Sequence, residues 1–254
     1  NNEPFDLARR LMLAGDCANP RGAEDATRAI VMVDPFPGAD TDVSKFESKD
    51  DVISTFLSLF TAMKNQARFK PDDLALAQDA DVFSRFLIAP TRDDERHPIA
   101  CGALGGFSGF LSEDFRRHDF MLGRRNCQAF LRRHFVLSAK HPLFAHWSEE
   151  QRNRFELIED GTAFLPIIPL LDTAAADCAV AKWPRYSGAQ LDALGDKIGH
   201  RYDTLMDRFA DQFAKNNWLA RQALKLFASR KKKDAVNWVC KRIETEFKAF
   251  KLLP

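Results

Sequence analysis

The run Ala29-Ile30-Val31-Met32-Val33 is stopped at once by Asp34-Pro35-Phe36-Pro37-Gly38. A short apolar, largely β-branched stretch that ends in prolines and a glycine reads as a buried strand leading into a turn. What precedes it reads as helix. Asn1 and Asn2 stand before Pro4 and an apolar rhythm of Phe5, Leu7, Ala8, Leu11 and Met12, which places Asn2 to cap free N–H groups and Gly15 to end the helix. A helix followed by a buried strand is the step from which an α/β sheet packed between helices is built, so an α/β fold is expected.

Further along, Val52, Ile53, Phe56, Leu57, Leu59, Phe60 and Met63 keep helical spacing until Pro71. A short helix is expected over 74–80, a second strand over 84–89 before Pro90, and a polar loop over 91–97. In residues 101–111, Gly102, Gly105, Gly106 and Gly109 share one helical face, with Leu104, Phe107 and Leu111 on the other. That pattern favours a close-packed helix, although each glycine costs helix about 1 kcal/mol relative to alanine. Phe164 to Leu171 is apolar but holds Pro166 and Pro169, which argues for an extended edge segment over a helix interior or a central strand. Leu191, Leu194, Ile198, Tyr202, Leu205, Phe209 and Phe213 give the clearest helix. Two more helices are expected over 217–229 and 233–251.

Composition sets the outer limits. The 254 residues are 45% hydrophobic, enough for a sizeable core. Aromatic volume comes from 22 Phe against 4 Trp and 2 Tyr, so little of it carries a polar tip that needs a partner. Five cysteines at 17, 101, 127, 178 and 240 are odd in number and widely spaced, with no C-x-x-C pair. Neither a disulfide framework nor a zinc site follows, and reduced thiols in a cytoplasmic protein are expected. The six histidines form no His-Glu-x-x-His or His-x-x-x-His pair, so no metal is expected, and no cofactor. No apolar run approaches the roughly 20 residues that cross a bilayer. The net charge of +1 is a cancellation: residues 1–100 carry an excess of six acidic groups and residues 218–254 an excess of seven basic ones. The basic end is the part that would seek an anionic surface.

Two segments carry a family resemblance. Asn1-Asn2-Glu3-Pro4 and the apolar helix after it resemble the follow-on of the catalytic Asp-Gly-Gly turn in patatin-like phospholipases. Cys101-Gly102-Ala103-Leu104-Gly105-Gly106-Phe107-Ser108-Gly109-Phe110-Leu111, then His118-Asp119-Phe120 and Leu122-Gly123-Arg124-Arg125-Asn126-Cys127, resemble the Gly-rich segment and the HD(Y/F)xLGRRN run in the C-terminal part of bacterial patatin-like proteins. The family's Gly-x-Ser-x-Gly motif does not occur in this sequence. The resemblance implies the C-terminal part of a patatin-like α/β domain over 1–180, followed by a mostly helical extension over 181–254. It further implies a serine lipid acyl hydrolase whose Ser-Asp dyad lies outside this chain, in an N-terminal catalytic portion of the same protein, with a lipid as substrate. In that mechanism the serine attacks a lipid ester and the Asp serves as base without a histidine.

Each candidate residue has two readings. Asn1 and Asn2 either brace the Asp turn or simply cap a helix. Arg124 or Arg125 suits bidentate contact with a phosphate headgroup, with Asp119 and Asn126 beside them. The alternative is an Asp119 salt bridge and an Asn126 cap that fix a helix start. Ser108 lies in Gly106-Phe107-Ser108-Gly109-Phe110, which has Phe where a nucleophile elbow needs its last glycine, so it reads as a packing residue. Arg230-Lys231-Lys232-Lys233 is either a solvated corner between helices or, with Trp218, Phe227 and Trp238 nearby, part of a surface that meets an anionic membrane. Nucleic acid is not expected, because the basic excess is confined to the tail and no recognised motif accompanies it. Beside the acyl-hydrolase reading stand a non-catalytic lipid- or membrane-binding module and an intracellular helical interaction protein. Localisation is expected to be cytoplasmic, peripheral to the inner face of the membrane.

Overall fold

A computed structural model describes residues 20–34, 79–92, 97–179, 181–215 and 217–254, with Ala8, Leu11 and Ala77 as single residues. Of the helices expected near the N-terminus, over 52–69 and over 74–80, only Ala8, Leu11 and Ala77, which are helical, and the non-helical Asp79 and Ala80 are described, and Asn1 and Asn2 lie outside the described residues. Those described mix helices with short strands, and the C-terminal region is helical. The chain divides into two compact units: residues 1–98 with 121–180, and residues 99–120 with 181–254. The segment 99–120, expected within the 1–180 portion, therefore belongs with the C-terminal helices.

In the first unit, β1 (Ile30–Val33) pairs in parallel with β2 (Arg85–Ile88), Ile30 opposite Arg85 and Val33 opposite Ile88. Parallel strands cannot be joined by a tight turn and need a crossover; most of the helix that the expected α/β step places before β1 lies outside the described residues. The strand is less buried than expected. Its residues alternate, and Val33 is 66% exposed. Helix α1 (Glu113–Arg133) follows, with acids in its first turn and arginines in its last, as the helix dipole favours. Its first eight residues belong to the second unit and the remainder to the first. Phe86 of β2 meets Phe130 and Phe135 edge-on at 5.7 and 5.1 Å.

A second sheet has the order β3-β5-β4, all antiparallel, from Val136–Ser138, Thr162–Pro166 and Leu157–Glu159. The expected edge segment is thus the central strand. The register shows how proline is accommodated: β4 pairs only with residues 162–164, and Pro166 faces Val136 of β3 alone. No ladder bond to β4 is lost at Pro166. Leu165 is fully buried there with Leu137 and Phe144. Between β3 and β4, helix α2 (Glu149–Phe155) starts at a Ser148–Gln151 capping box, and Arg152 donates to the carbonyls of Ala139, Phe144 and Trp147. Beyond β5, the short helix α3 (Asp172–Ala175) precedes Asp177.

In the second unit, α4 (Gly188–Phe213) opens on a capping box of Ser187 and Gln190, and α5 (Trp218–Ala249) on an Asn217 cap. One helix of 32 residues stands where two were expected. The run Arg230-Lys231-Lys232-Lys233 contains no glycine or proline, and Arg and Lys are good helix formers. Its repulsion is offset by Asp203 of α4, 2.7 Å from Lys232, and by Asp234, 3.6 Å from Lys231. Three further ion pairs hold α4 to α5: Asp207 with Lys225, and Asp211 with both Arg221 and Lys225. The unit's core gathers Phe115, Tyr186, Phe247 and Leu252, with Phe115 and Tyr186 both packed on Phe247.

The central position of β5 has a direct test. Leu165→Ala should lower unfolding stability by about 2–5 kcal/mol, read as a shift of the urea midpoint. Ile158→Ala, on an exposed position of β4, should change it by less than about 0.5 kcal/mol. Equal shifts would contradict the burial assigned to β5.

Candidate functional site

The Gly-rich segment of the second unit is where the family resemblance and the densest polar geometry coincide. Ala100–Phe110 is wound as a 3-10 helix and broken in its middle: Leu104, Gly105 and Gly106 have φ of 57, 64 and 97°. The single close-packed helix expected over 101–111 is therefore replaced by two short turns. Two successive glycines make the break possible, because positive φ costs them no Cβ clash. Gly109 meets a second demand, since a Cβ there would lie 2.9 Å from Cys101 Sγ.

The segment has no side-chain cap of its own at Ile99. Asp119 of α1 supplies it, taking the N–H of Ala100 on Oδ1 at 2.8 Å and that of Cys101 on Oδ2 at 2.7 Å. His118 Nδ1 donates to the same Oδ1 at 2.7 Å, which fixes its ring proton on Nδ1. The buried His118 ring stands edge-on to Trp183 at 4.9 Å. The Cys101 thiol is pushed up to about 12, first by burial and then by its hydrogen bond to Asp119 and that carboxylate's charge. A Cys, a His and an Asp thus meet without forming a nucleophile: the carboxylate lies against the thiol and holds its proton in place. Ser108 is fully buried and its Oγ donates to Ala100 O at 2.9 Å, so it is a packing residue with an occupied hydroxyl.

Arg124, Arg125 and Asn126 fall in the first unit, in the interior of α1. Asn126 caps no helix start; its amide donates to Thr91 O at 3.1 Å and Thr91 Oγ1 at 2.6 Å. Arg124 donates to Thr173 O at 3.2 Å. Gln128 reaches Ala174 O and Ala176 O, and Arg132 reaches Ala175 O and the Asp177 carboxylate at 3.1 Å. Arg124, Gln128 and Arg132 are spaced four apart, so one stripe of α1 holds the backbone of residues 173–176. Arg125 is half-exposed and makes no hydrogen bond or ion pair among the described residues. Beside the contact to His118, which is the nearest match to the salt bridge expected of it, Asp119 caps two backbone N–H groups.

The basic run lies in the middle of α5, with Arg230, Lys231 and Lys233 exposed and Lys232 tied to Asp203. Elsewhere the α4–α5 hairpin leaves large apolar groups in solvent. Phe209 and Phe213 stack at 4.2 Å near the end of α4, and Trp218, Leu219, Leu226, Phe227 and Trp238 are exposed on α5. Among the described residues no three His, Cys, Asp or Glu groups converge as metal ligands, and no helix is long and apolar enough to cross a membrane.

No protein-family profile matches the chain, and no solved structure matches it. It is similar to the uncharacterized protein y4iI of Sinorhizobium fredii, 39% identical over 203 residues. The match takes in 73% of this chain and 29% of that protein, so the chain spans under a third of its relative's length.

The Asp119 cap can be read through its effect on Cys101. In Asp119→Asn, two of the causes that raise the thiol are weakened, so the pH profile of Cys101 alkylation, followed by mass spectrometry of the Cys101 peptide, should move to lower pH. An unchanged profile would separate Asp119 from the thiol. The linkage sign follows from the raised value: the folded state keeps a proton that the unfolded thiol releases near 9, so stability from this group is present below about 9 and lost as pH rises toward 12.

Proposed function

We propose that this chain is the C-terminal portion of a patatin-like lipid acyl hydrolase, and that its own contribution is to dock the protein on an anionic lipid surface. The observation that carries the docking is the composition of the α4–α5 hairpin. Eight large apolar side chains of the two helices are exposed among the described residues: Leu205, Phe209, Phe213, Trp218, Leu219, Leu226, Phe227 and Trp238. Single exposed hydrophobics are ordinary; a helical hairpin whose exposed apolar groups are rich in Phe and Trp, among many basic residues, has the composition of an interfacial surface. The charges complement it. The aspartates of α4 at 203, 207 and 211 are each engaged by a basic group of α5, whereas Arg201, Arg208, Lys215, Arg230 and Lys233 form no ion pair among the described residues. Net positive charge is left over beside the aromatic groups, which favours anionic headgroups over neutral ones.

The acyl-hydrolase identity rests on the resemblance of Asn1-Asn2-Glu3-Pro4 and of residues 101–126 to patatin-like proteins. In this reading Asp119, Arg124 and Asn126 are scaffold, and the Ser-Asp dyad is supplied by another portion of the protein. Ser108 should accordingly stay unlabelled by a fluorophosphonate probe. Stoichiometric labelling there, abolished by Ser108→Ala, would place the chemistry inside this chain.

Docking is tested by co-sedimentation with vesicles. Anionic vesicles should retain the protein more strongly than neutral ones at low ionic strength, and the difference should shrink with salt. Replacing Arg230, Lys231 and Lys233 with glutamine, while keeping Lys232 on Asp203, removes about 1 kcal/mol of attraction per charge near the surface and should weaken retention markedly. Phe213→Ser with Phe227→Ser should weaken it independently of salt. Equal sedimentation of all variants, or none by any, would return the hairpin to a solvated helical surface.

A further inference from the structure

The first unit contains a second feature of a different kind, a cavity of about 310 Å³ between the end of α1, the end of α2 and the strand that follows it. Its walls are half-buried apolar side chains, Leu131, Phe155, Leu157 and Leu170, and its rim carries Arg133 and Arg154. Arg132 also lines it, but its guanidinium is committed to Asp177 and Ala175 O. Arg133 forms no ion pair among the described residues, and Arg154 lies 5.2 Å over the ring of Phe155 with no carboxylate partner among them. The one acid in the lining, Glu156, is exposed, so the rim stays positive on balance.

An apolar chamber with a cationic rim is complementary to an amphiphilic anion, with the alkyl chain against the leucines and Phe155 and the headgroup on the guanidinium forks. We propose that this pocket binds a single-chain amphiphile with a carboxylate or phosphate head. The size limits the chain: at about 30 Å³ per methylene, close to the volume share of a water molecule, about ten carbons fit and a diacyl lipid does not. Arg133 and Arg154 are the residues that recognise the head, and Leu157 and Leu170 those that set the chain length. The proposal is independent of the acyl-hydrolase reading, because it concerns binding by this chain without turnover, and of the docking hairpin, which lies in the other unit.

The test is calorimetric titration of the whole chain with decanoate, decyl phosphate and octanoate, each below its micelle concentration, and with decanol below its solubility limit. Decanoate or decyl phosphate should bind saturably at one site, and the tighter of the two names the headgroup. Octanoate should bind about fifteenfold more weakly than decanoate, at roughly fourfold per methylene lost, and decanol at least tenfold more weakly. Arg133→Gln with Arg154→Gln should reduce affinity for the anions at least tenfold and leave decanol unchanged. Both arginines are exposed, so the variant should keep the fold, checked by its unfolding midpoint. Leu170→Trp should fill the chamber and abolish binding of all four. No saturable binding of either anion, equal affinity for decanoate and decanol, or undiminished binding to Leu170→Trp would each overturn the proposal.

Discussion

One carboxylate organises the most irregular part of this protein. A 3-10 helix that starts without a cap leaves its first N–H groups unsatisfied, and buried N–H groups without partners are costly. Asp119 removes that cost from 18 and 19 residues away by taking the N–H groups of Cys101 and Ala100. Much follows from this. With its start pinned, the Gly-rich segment can break at Leu104-Gly105-Gly106, return Ser108 Oγ to Ala100 O, and bring Gly109 against Cys101. The same carboxylate orients His118 and keeps the neighbouring thiol protonated. Phe107 and Phe110 are left outside, 68% and 81% exposed, because the small residues between them take the inner positions.

The α4–α5 hairpin shows a different division of labour. Asp203, Asp207 and Asp211 recur every four residues on α4 and meet Lys232, Lys225 and Arg221 of α5 in reverse order, as antiparallel helices require. Exposed pairs of this kind contribute little stability each, roughly 0–1 kcal/mol. Their value lies in register and in charge accounting: Asp203, Asp207 and Asp211 are matched along the seam, while Asp192 and Asp196 nearer the start of α4 form no ion pair among the described residues. The surplus basic groups of α5 and the aromatic side chains then share the outer surface.

What the sequence made legible was what depends on side-chain type in a regular pattern. Ile30 to Val33 and Arg85 to Ile88 are strands where apolar, β-branched runs before prolines called for them, and Leu191 to Phe213 is a helix at the positions its spacing marks. The failures were of register and context. Pro166 argued against a central strand only if both neighbouring strands ran alongside it, and β4 stops two residues short of it. The four consecutive basic residues read as a solvated corner between helices, yet they lie inside one helix, where Asp203 of α4 pairs with Lys232. The glycines of 102–109 fit a helical face by spacing, but Gly105 and Gly106 were needed for positive φ instead.

The polar run from His118 to Arg132 explains why the candidate site was the hardest part to read. Its side chains attracted a functional reading because Asp, Arg and Asn so closely spaced are the groups that bind headgroups and orient reacting atoms. In the structure most of them bind backbone: Asp119 two N–H groups, and Arg124, Asn126, Gln128 and Arg132 carbonyls of Thr173, Thr91, Ala174, Ala176 and Ala175. A side chain that pairs with another side chain implies a complementary residue type somewhere in the sequence. A side chain that pairs with a carbonyl implies nothing, since every residue has one. Such scaffold roles therefore leave no partner to search for, and they look like unassigned chemistry until the backbone is placed. By the same logic, the groups worth testing for ligands are those the backbone has not claimed, and in the first unit Arg133 and Arg154 are two of them.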